Sequence, residues 1–396
     1  MVGIGADGWC GLGAAARAEV LAADVVLGGR RHLQSLPDAP GQRREIWPSP
    51  LRVSLPDLLT SCGTASVIAL ASGDPLLSGI ATTLIDLLGG DRVTIRPAVS
   101  SVALARAAMG WPAESHAVVS VVGRQEALLL REVAPGRRIL VLSSDERTPR
   151  QVAALLVEAG YGDSALTVLG DLGSDHGSRQ NAPARLLAEQ GDDFPRLNII
   201  AVSCTGPRIG GWTAGLPDDL FEHDGQLTKR DLRASALARL APAPGEHLWD
   251  VGAGAGSVGI EWLRAHPACT ATAVEADPER AARISRNARR LGVPALRVVH
   301  GRAPQALDGL RAPDAVFIGG GATRPGVLDI CLAALRSGGR LVVHGVTLQT
   351  EHLLADAYGH HGGELTRIAV ETAAPVGSFT GWTPARTITQ WAWTSS

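Results

Sequence analysis

The sequence predicts two α/β domains in one chain, and three observations carry this. Short apolar runs alternate with segments of helical period through most of its length. The alternation breaks across residues 205–221, where Gly and Pro are frequent and no period survives. It resumes around a glycine-rich turn, Asp250-Val-Gly252-Ala253-Gly254-Ala255-Gly256, that follows an apolar run and opens a helical one. The expected division is therefore residues 1–204, a linker at 205–221, and residues 222–396. A chain of 396 residues suits two domains at roughly 100–200 residues each.

In the first half, strands are expected at Val2–Ile4, Val25–Leu27, Val67–Ala71, Val93–Ile95, Arg138–Leu142, Leu166–Leu169 and Asn198–Val202. Helical spacing marks Leu76–Leu88, with Leu77, Ile80, Ala81, Leu84 and Leu88 on one face. Pro149–Gly160 reads as a helix with Pro at its start and Gly at its end. Such alternation predicts a largely parallel sheet covered on both sides. In the second half, helices are expected at Lys229–Leu240, Val258–His266, Pro278–Leu291 and Gly326–Arg336. They alternate with strands at His247–Val251, Thr270–Glu275, Leu296–His300, Ala315–Ile318 and Arg340–His344. Glu364–Glu371 and Ala385–Trp393 read as a terminal antiparallel hairpin with one joining loop.

Composition narrows the function classes. A net charge of −2 argues against a generally basic nucleic-acid binder. The five cysteines, at 10, 62, 204, 269 and 331, have no metal-ligand or disulfide spacing, so no metal is expected and a reducing compartment is. No run of about 18 apolar residues occurs, and Met1–Asp7 has no basic flank before an apolar core. A soluble, cytoplasmic protein without a membrane partner is expected, as a homo-oligomer.

Two nucleotide readings compete at the glycine turn. Gly254-Ala-Gly256-Ser-Val-Gly259 fits GxGxxG, and Glu275 follows Gly254 at about the 20-residue spacing of a dinucleotide site. That register supports an NAD(P)-dependent oxidoreductase. It begins late, however, and the register that starts directly after the strand, at Gly252, has Ser257 in its third glycine position. Asp250 before Gly252 and the terminal hairpin fit an S-adenosylmethionine site better. With Gln226-Leu-Thr228-Lys229-Arg-Asp-Leu-Arg, Val274-Glu275, Gly301-Arg-Ala303-Pro-Gln and Phe317-Ile-Gly-Gly-Gly, this half resembles class I methyltransferases. The finer resemblance is to the decarboxylating precorrin methyltransferase domain. It implies a Rossmann-like fold in which Thr228, Gly252, Ala253, Gly254, Ala255, Gly256, Glu275 and Ala303 line the cofactor. Arg302 stands where that family usually has an acidic residue.

In the first half, Ala71-Ser72-Gly73-Asp74-Pro-Leu-Leu77-Ser-Gly lies between an expected strand and helix. Such a turn exposes backbone groups and a carboxylate at the strand's C-terminal edge, where ligands of open α/β sheets bind. A simple tight turn with Asp74 capping the helix is the alternative. Pro97-Ala-Val-Ser100-Ser101 and Val119-Ser-Val-Val-Gly-Arg124 follow in order. The set resembles the tetrapyrrole (class III) methyltransferases, a fold of two α/β subdomains with the cofactor folded between them. The resemblance implies that Ser72, Gly73, Asp74, Leu77, Ser100 and Ser101 contact it. Ala6 replaces the usual proline of the first loop, and Val122 stands where relatives often have His.

Class III followed by class I resembles the fused decarboxylating precorrin methyltransferases of cobalamin biosynthesis. That implies two S-adenosylmethionine sites per chain and a tetrapyrrole substrate. The implied reactions are methylation of precorrin-6Y at C5 by the first domain, and C15 methylation with loss of the C12 acetate carboxyl by the second, giving precorrin-8. A methyltransferase of another tetrapyrrole and a non-catalytic binder are the alternatives. Arg30, Arg31, Arg124 and Arg324 sit in expected loops near strand ends and are candidate partners for substrate carboxylates. Lys229 joins them as the single lysine among 37 basic residues. No catalytic acid or base is assigned.

Overall fold

The computed structural model describes residues 1–191 and 193–395. The chain divides into two compact units, Met1–Pro207 and Arg208–Ser396.

The first unit begins with a four-stranded parallel sheet of order β1-β4-β2-β3, made of β1 (Val2–Ile4), β2 (Val25–Gly28), β3 (Arg43–Ile46) and β4 (Val67–Ser72). Both faces are buried. Val26 and Leu70 pack to one side with Val2, Ile4 and Val20, while Val25, Leu27 and Ala69 pack to the other with Leu55 and Leu84. This two-sided burial is why β1, β2 and β4 read as apolar runs without alternation; the edge strand β3, Arg-Arg-Glu-Ile, is not buried and offers no such run.

A five-stranded sheet completes the unit, in the order β5-β6-β9-β7-β8. Its strands are β5 (Ala117–Ser120), β6 (Arg138–Leu142), β7 (Ala165–Gly170), β8 (Ser178–Pro183) and β9 (Asn198–Ser203). Only β5 and β6 run parallel; the other three pairings are antiparallel. The expected largely parallel sheet therefore fails here. The reason lies partly in β8, whose Ser-Arg-Gln-Asn is exposed and polar and forms an edge strand with no apolar run to betray it. Val93–Ile95 is not a strand either. Arg96 makes a single bridge to Val2, and Pro97, lacking an N–H, cannot extend it. The helix expected from Leu76 starts at Ala81. Residues 74–80 instead form tight turns, with Ser78 at φ +53°.

The second unit holds a seven-stranded sheet of order β12-β11-β10-β13-β14-β18-β15. Its parallel strands are β10 (His247–Val251), β11 (Thr270–Glu275), β12 (Arg297–His300), β13 (Ala315–Ile318) and β14 (Arg340–Gly345). Strand β18 (Ile388–Thr394) inserts antiparallel between β14 and β15 (Glu364–Ile368). The terminal hairpin pairs as expected, but no simple loop joins it. A second hairpin, β16 (Glu371–Val376) and β17 (Phe379–Pro384), fills that interval and takes Glu371 with it.

Strand order reverses beside β10, which places a crevice at its C-terminal end. Alternate residues again serve two cores. Leu248, Phe317 and Val342 pack with Leu237, Trp262 and Ile284, and Trp249, Val316, Leu341 and Trp391 pack on the opposite face. Leu216 and Phe221 are buried in the first of these cores. The fully buried Arg233 holds this entry segment by donating to Glu261, to Asp218, and to the carbonyls of Leu216 and Thr228. Among the described residues, no helix is long and apolar enough to cross a membrane and no side-chain group could hold a metal ion.

Candidate functional site

In the second unit, the glycine turn caps β10 at the crevice. Gly252, Gly254 and Gly256 have φ of +67°, +58° and +76°, conformations that side chains other than glycine adopt at a cost. Space is as tight as the dihedrals. A Cβ on Gly252 would lie 2.6 Å from the Gly320 carbonyl oxygen, and one on Gly254 would lie 2.8 Å from that of Gln226. The turn thus closes between the segment leading to Thr228 and the Gly319–Gly321 loop. Ala253 and Ala255 complete it, and Ala255 is buried.

Glu275, at the end of β11, is brought to the turn. Its Oε2 accepts from Gly254 N at 2.8 Å and its Oε1 from Asp277 N at 3.0 Å. Each oxygen keeps a second lone pair, so the fixed carboxylate can still accept hydroxyl donors. Asp250 is almost fully buried beneath the turn. Its Oδ2 accepts from Gly259 N at 2.9 Å, and its Oδ1 has no partner among the described residues. Burial pushes its carboxyl up to about 7, opposed by the Gly259 bond and reinforced by the charge on Glu275.

Thr228 is held through its carbonyl by Arg233. Lys229 follows as the N-cap of the helix Arg230–Leu240, half exposed, with Nζ 3.8 Å from Asp218. Ala303 packs against the core below the sheet edge, two residues after Gly301, whose N–H donates to the Glu275 carbonyl at 2.9 Å. Arg324 is exposed and its backbone N–H donates to Gly321, in the loop facing Gly252.

In the first unit, Gly73 follows β4 with φ +54°. A Cβ there would lie 3.1 Å from the Ser100 Cα. Ser100 Oγ caps the helix Ser101–Met109, accepting from Ala103 N at 3.1 Å. Asp74 Oδ1 accepts from Leu76 N at 2.9 Å; it shapes this turn and does not cap the helix, which begins later. Leu77 packs onto the core of the second sheet with Val102 and Leu140. The structure therefore gathers Gly73, Asp74, Leu77, Ser100 and Ser101 where the two sheets of this unit meet.

Ser72 has acquired partners that sequence reading missed. Arg31 donates to Ser72 Oγ at 3.3 Å, to the Gly5 carbonyl at 3.3 Å and to His32 Nε2 at 2.9 Å. Burial lowers the Arg31 guanidinium from its ordinary value, and the charge of Asp171 acts against that. Burial, with the charge of Arg31, pushes His32 down to about 4. The one available signal for His32 was its place after β2, at the same sheet edge as Ser72. Arg30 and Arg124 are exposed, and among the described residues no side-chain hydrogen bond or ion pair joins them to this cluster.

Comparison with known proteins adds the following. Residues 1–181 match the family model described as Tetrapyrrole (Corrin/Porphyrin) Methylases, and residues 219–395 match the Precorrin methyltransferase domain. The chain is 45% identical over 399 residues to a precorrin-6Y C(5,15)-methyltransferase [decarboxylating] of Sinorhizobium sp, covering 100% of this chain and 95% of that one. It is 44% identical over 393 residues to the protein of the same name in Mycobacterium tuberculosis (strain ATCC 25618 / H37Rv), covering 99% and 98%. It is also 31% identical over 169 residues to a cobalt-precorrin-6B C(15)-methyltransferase (decarboxylating) of Salmonella typhimurium, covering 41% of this chain and 87% of that one.

Proposed function

The chain belongs to the precorrin-6Y C5,15-methyltransferase (decarboxylating) family, and from that premise we propose how its two units divide the work. It is an enzyme of cobalamin biosynthesis that uses S-adenosylmethionine to methylate precorrin-6Y at C5 and C15 and removes one carboxyl as CO2. The observation that carries this is full-length identity of 45% to a relative of that name. Family membership also sets aside the dinucleotide register at Gly254.

The finer assignment gives C5 to the first unit, and C15 with decarboxylation of the C12 acetate to the second, yielding precorrin-8. A relative named for C15 methylation and decarboxylation alone matches 41% of this chain, a span the size of one unit. Two cofactor sites per chain follow. One comprises Ser72, Gly73, Asp74, Leu77, Ser100 and Ser101. The other comprises Thr228, Gly252 to Gly256, Glu275 and Ala303. The second set fits such a ligand: a cradle too tight for a Cβ at Gly252 or Gly254, a fixed carboxylate with free lone pairs for ribose hydroxyls, and a turn opening a helix.

S-adenosylmethionine, when bound, supplies an electrophilic methyl carbon. The protein's own part is then chiefly alignment, and holding reactants in line can remove on the order of 7–11 kcal/mol of barrier. Arg31, Arg324 and Lys229 lie beside the gathered residues and are the nearest candidates to pair with substrate carboxylates; Arg30 and Arg124 are candidates by position alone. A cytoplasmic homo-oligomer is part of the same reading. Support for the oligomer comes from the β16–β17 hairpin, which exposes Val376, Phe379 and Trp382, since an isolated two-stranded hairpin is marginal in water.

Mass spectrometry of the product from precorrin-6Y tests the reaction: two methyl groups gained and one CO2 lost. Asp74→Ala tests the division. Its product should carry one new methyl group and lack the CO2, whereas normal double methylation would contradict the assignment.

A further inference from the structure

We propose that His344 is a substrate-contacting residue of the second unit, donating a hydrogen bond from Nδ1 to a carboxylate of the tetrapyrrole. This rests on the assignment of C15 methylation and decarboxylation to that unit.

The first argument is position. Val251, Ile318 and Val343 lie in register across β10, β13 and β14. One residue further along stand Gly252, Gly319 and His344, all at the C-terminal edge of the sheet. His344 is thus level with the cofactor turn and two strand spacings, about 10 Å, to its side. A macrocycle whose reacting carbon approached the turn would extend over such a distance.

The face agrees with the level. His344 shares the face of Val342 and Phe317, and its ring meets Phe317 edge-on with centroids 5.0 Å apart. A Cβ on Gly319 would lie 3.0 Å from the same Phe317 ring. The helix Arg230–Leu240 covers this face antiparallel to β14. Its Leu240 carbonyl accepts from Arg340, at the start of β14, at 3.0 Å. Its N-terminal end, with Thr228 and Lys229 before it, therefore points to the edge where His344 stands.

The third argument is the tautomer. Arg239 has only donors. With the Gln390 amide oxygen accepting from Arg239 Nε at 2.9 Å and NH1 at 3.2 Å, its nitrogen donates to His344 Nε2 at 2.9 Å and Ser235 Oγ at 3.3 Å. Gln390 is fully buried, so this orientation is the one that satisfies every group. His344 Nε2 is then an acceptor. Burial keeps the ring neutral, pushing its pKa down to about 4. The proton therefore sits on Nδ1. That atom has no hydrogen-bond partner among the described residues and belongs to a partly exposed residue. Arg239 and Gln390 act as positioning residues, and His344 presents one fixed N–H at the crevice.

The test uses the full-length enzyme with precorrin-6Y. In His344→Asn the side-chain amide can place its nitrogen near the Nδ1 position. In His344→Gln the amide reaches instead to the Nε2 position, and His344→Phe keeps the ring but no donor. The expected result is C15 methylation and CO2 release slowed on the order of 10- to 100-fold in the Gln and Phe variants, with Asn restoring most of the rate. C5 methylation and S-adenosylhomocysteine affinity should stay at wild-type values in all three. Wild-type C15 rates in His344→Gln, or equal losses in the Asn and Gln variants, would overturn the role of His344 alone. Failure of the wild-type enzyme to release CO2 would overturn the underlying reaction assignment and this role with it.

Discussion

Ser72 Oγ lies 3.1 Å from His32 Nε2, and both accept from the Arg31 guanidinium. Arginine is always a donor, so Nε2 accepts and the neutral ring carries its proton on Nδ1. The pair joins the short helix after β2 to the end of β4, 40 residues apart in sequence. Its energetic signature is acid sensitivity. His32 titrates near 4 in the folded state against 6.5 unfolded. Between those values the unfolded chain binds a proton that the folded chain refuses. The stability is therefore present above pH 6.5 and is lost as pH falls through 4, by at most about 3 kcal/mol. Relative to wild type, His32→Leu should gain stability by up to that amount between pH 7.5 and 4.5 in urea unfolding. A pH-independent difference would show that His32 is not held neutral.

Gly252→Ala is expected to abolish S-adenosylhomocysteine binding in the second unit while sparing the first. The added Cβ meets the Gly320 carbonyl at 2.6 Å, so backbone must move on one side of the cradle. The left-handed conformation adds about 1–2 kcal/mol of strain. Gly309→Ala is the control: φ is +71° there, but nothing lies within 4 Å of its Cβ. It should cost stability only. Calorimetry distinguishes the two, and equal binding by both variants would mean the cradle is not the cofactor site.

Glu275→Ala should lower S-adenosylhomocysteine affinity in the second unit about tenfold or more, through lost charge-assisted bonds. It should also lower the thermal midpoint, because the N–H groups of Gly254 and Asp277 lose their acceptor. Affinity that survives the substitution while the midpoint falls would leave Glu275 as a brace for the turn and no ligand for ribose.

What was legible in the sequence follows from how local the physics is. The turn from Gly252 to Gly256 was legible because three alternate residues in it are left-handed and demand glycine. Strands β6, β10, β11 and β13 were legible to the residue because each is an apolar run fixed by two buried faces. Strand β8 was not, since its cohesion comes from the backbone of β7 and its side chains face solvent. Antiparallel insertion of β9 between β6 and β7 leaves no mark on β9 itself. Ser72 and Arg31 were each picked out alone. Their junction through His32, and the Arg239–Gln390–His344 chain, exist only once distant segments meet.

Asp250 supplies the last prediction, with a sign opposite to that of His32. Its carboxyl titrates at about 7 in the folded state, against an ordinary value of 3.8. Between these values the folded state holds a proton that the unfolded state has released. Stability from this group is thus full below pH 3.8 and lost as pH rises through 7. Above pH 7 the ligand-free second unit carries a buried carboxylate whose Oδ1 has no partner among the described residues. Asp250→Asn keeps an oxygen for Gly259 N–H and cannot ionise. Its unfolding free energy should therefore exceed that of wild type by more at pH 8 than at pH 5, the increment being on the order of a few kcal/mol. Two unfolding curves for each protein at the two pH values decide it. A difference that stays constant or shrinks with pH would mean that Asp250 is already ionised at pH 5, and that the turn above it supplies more compensation than the single Gly259 bond.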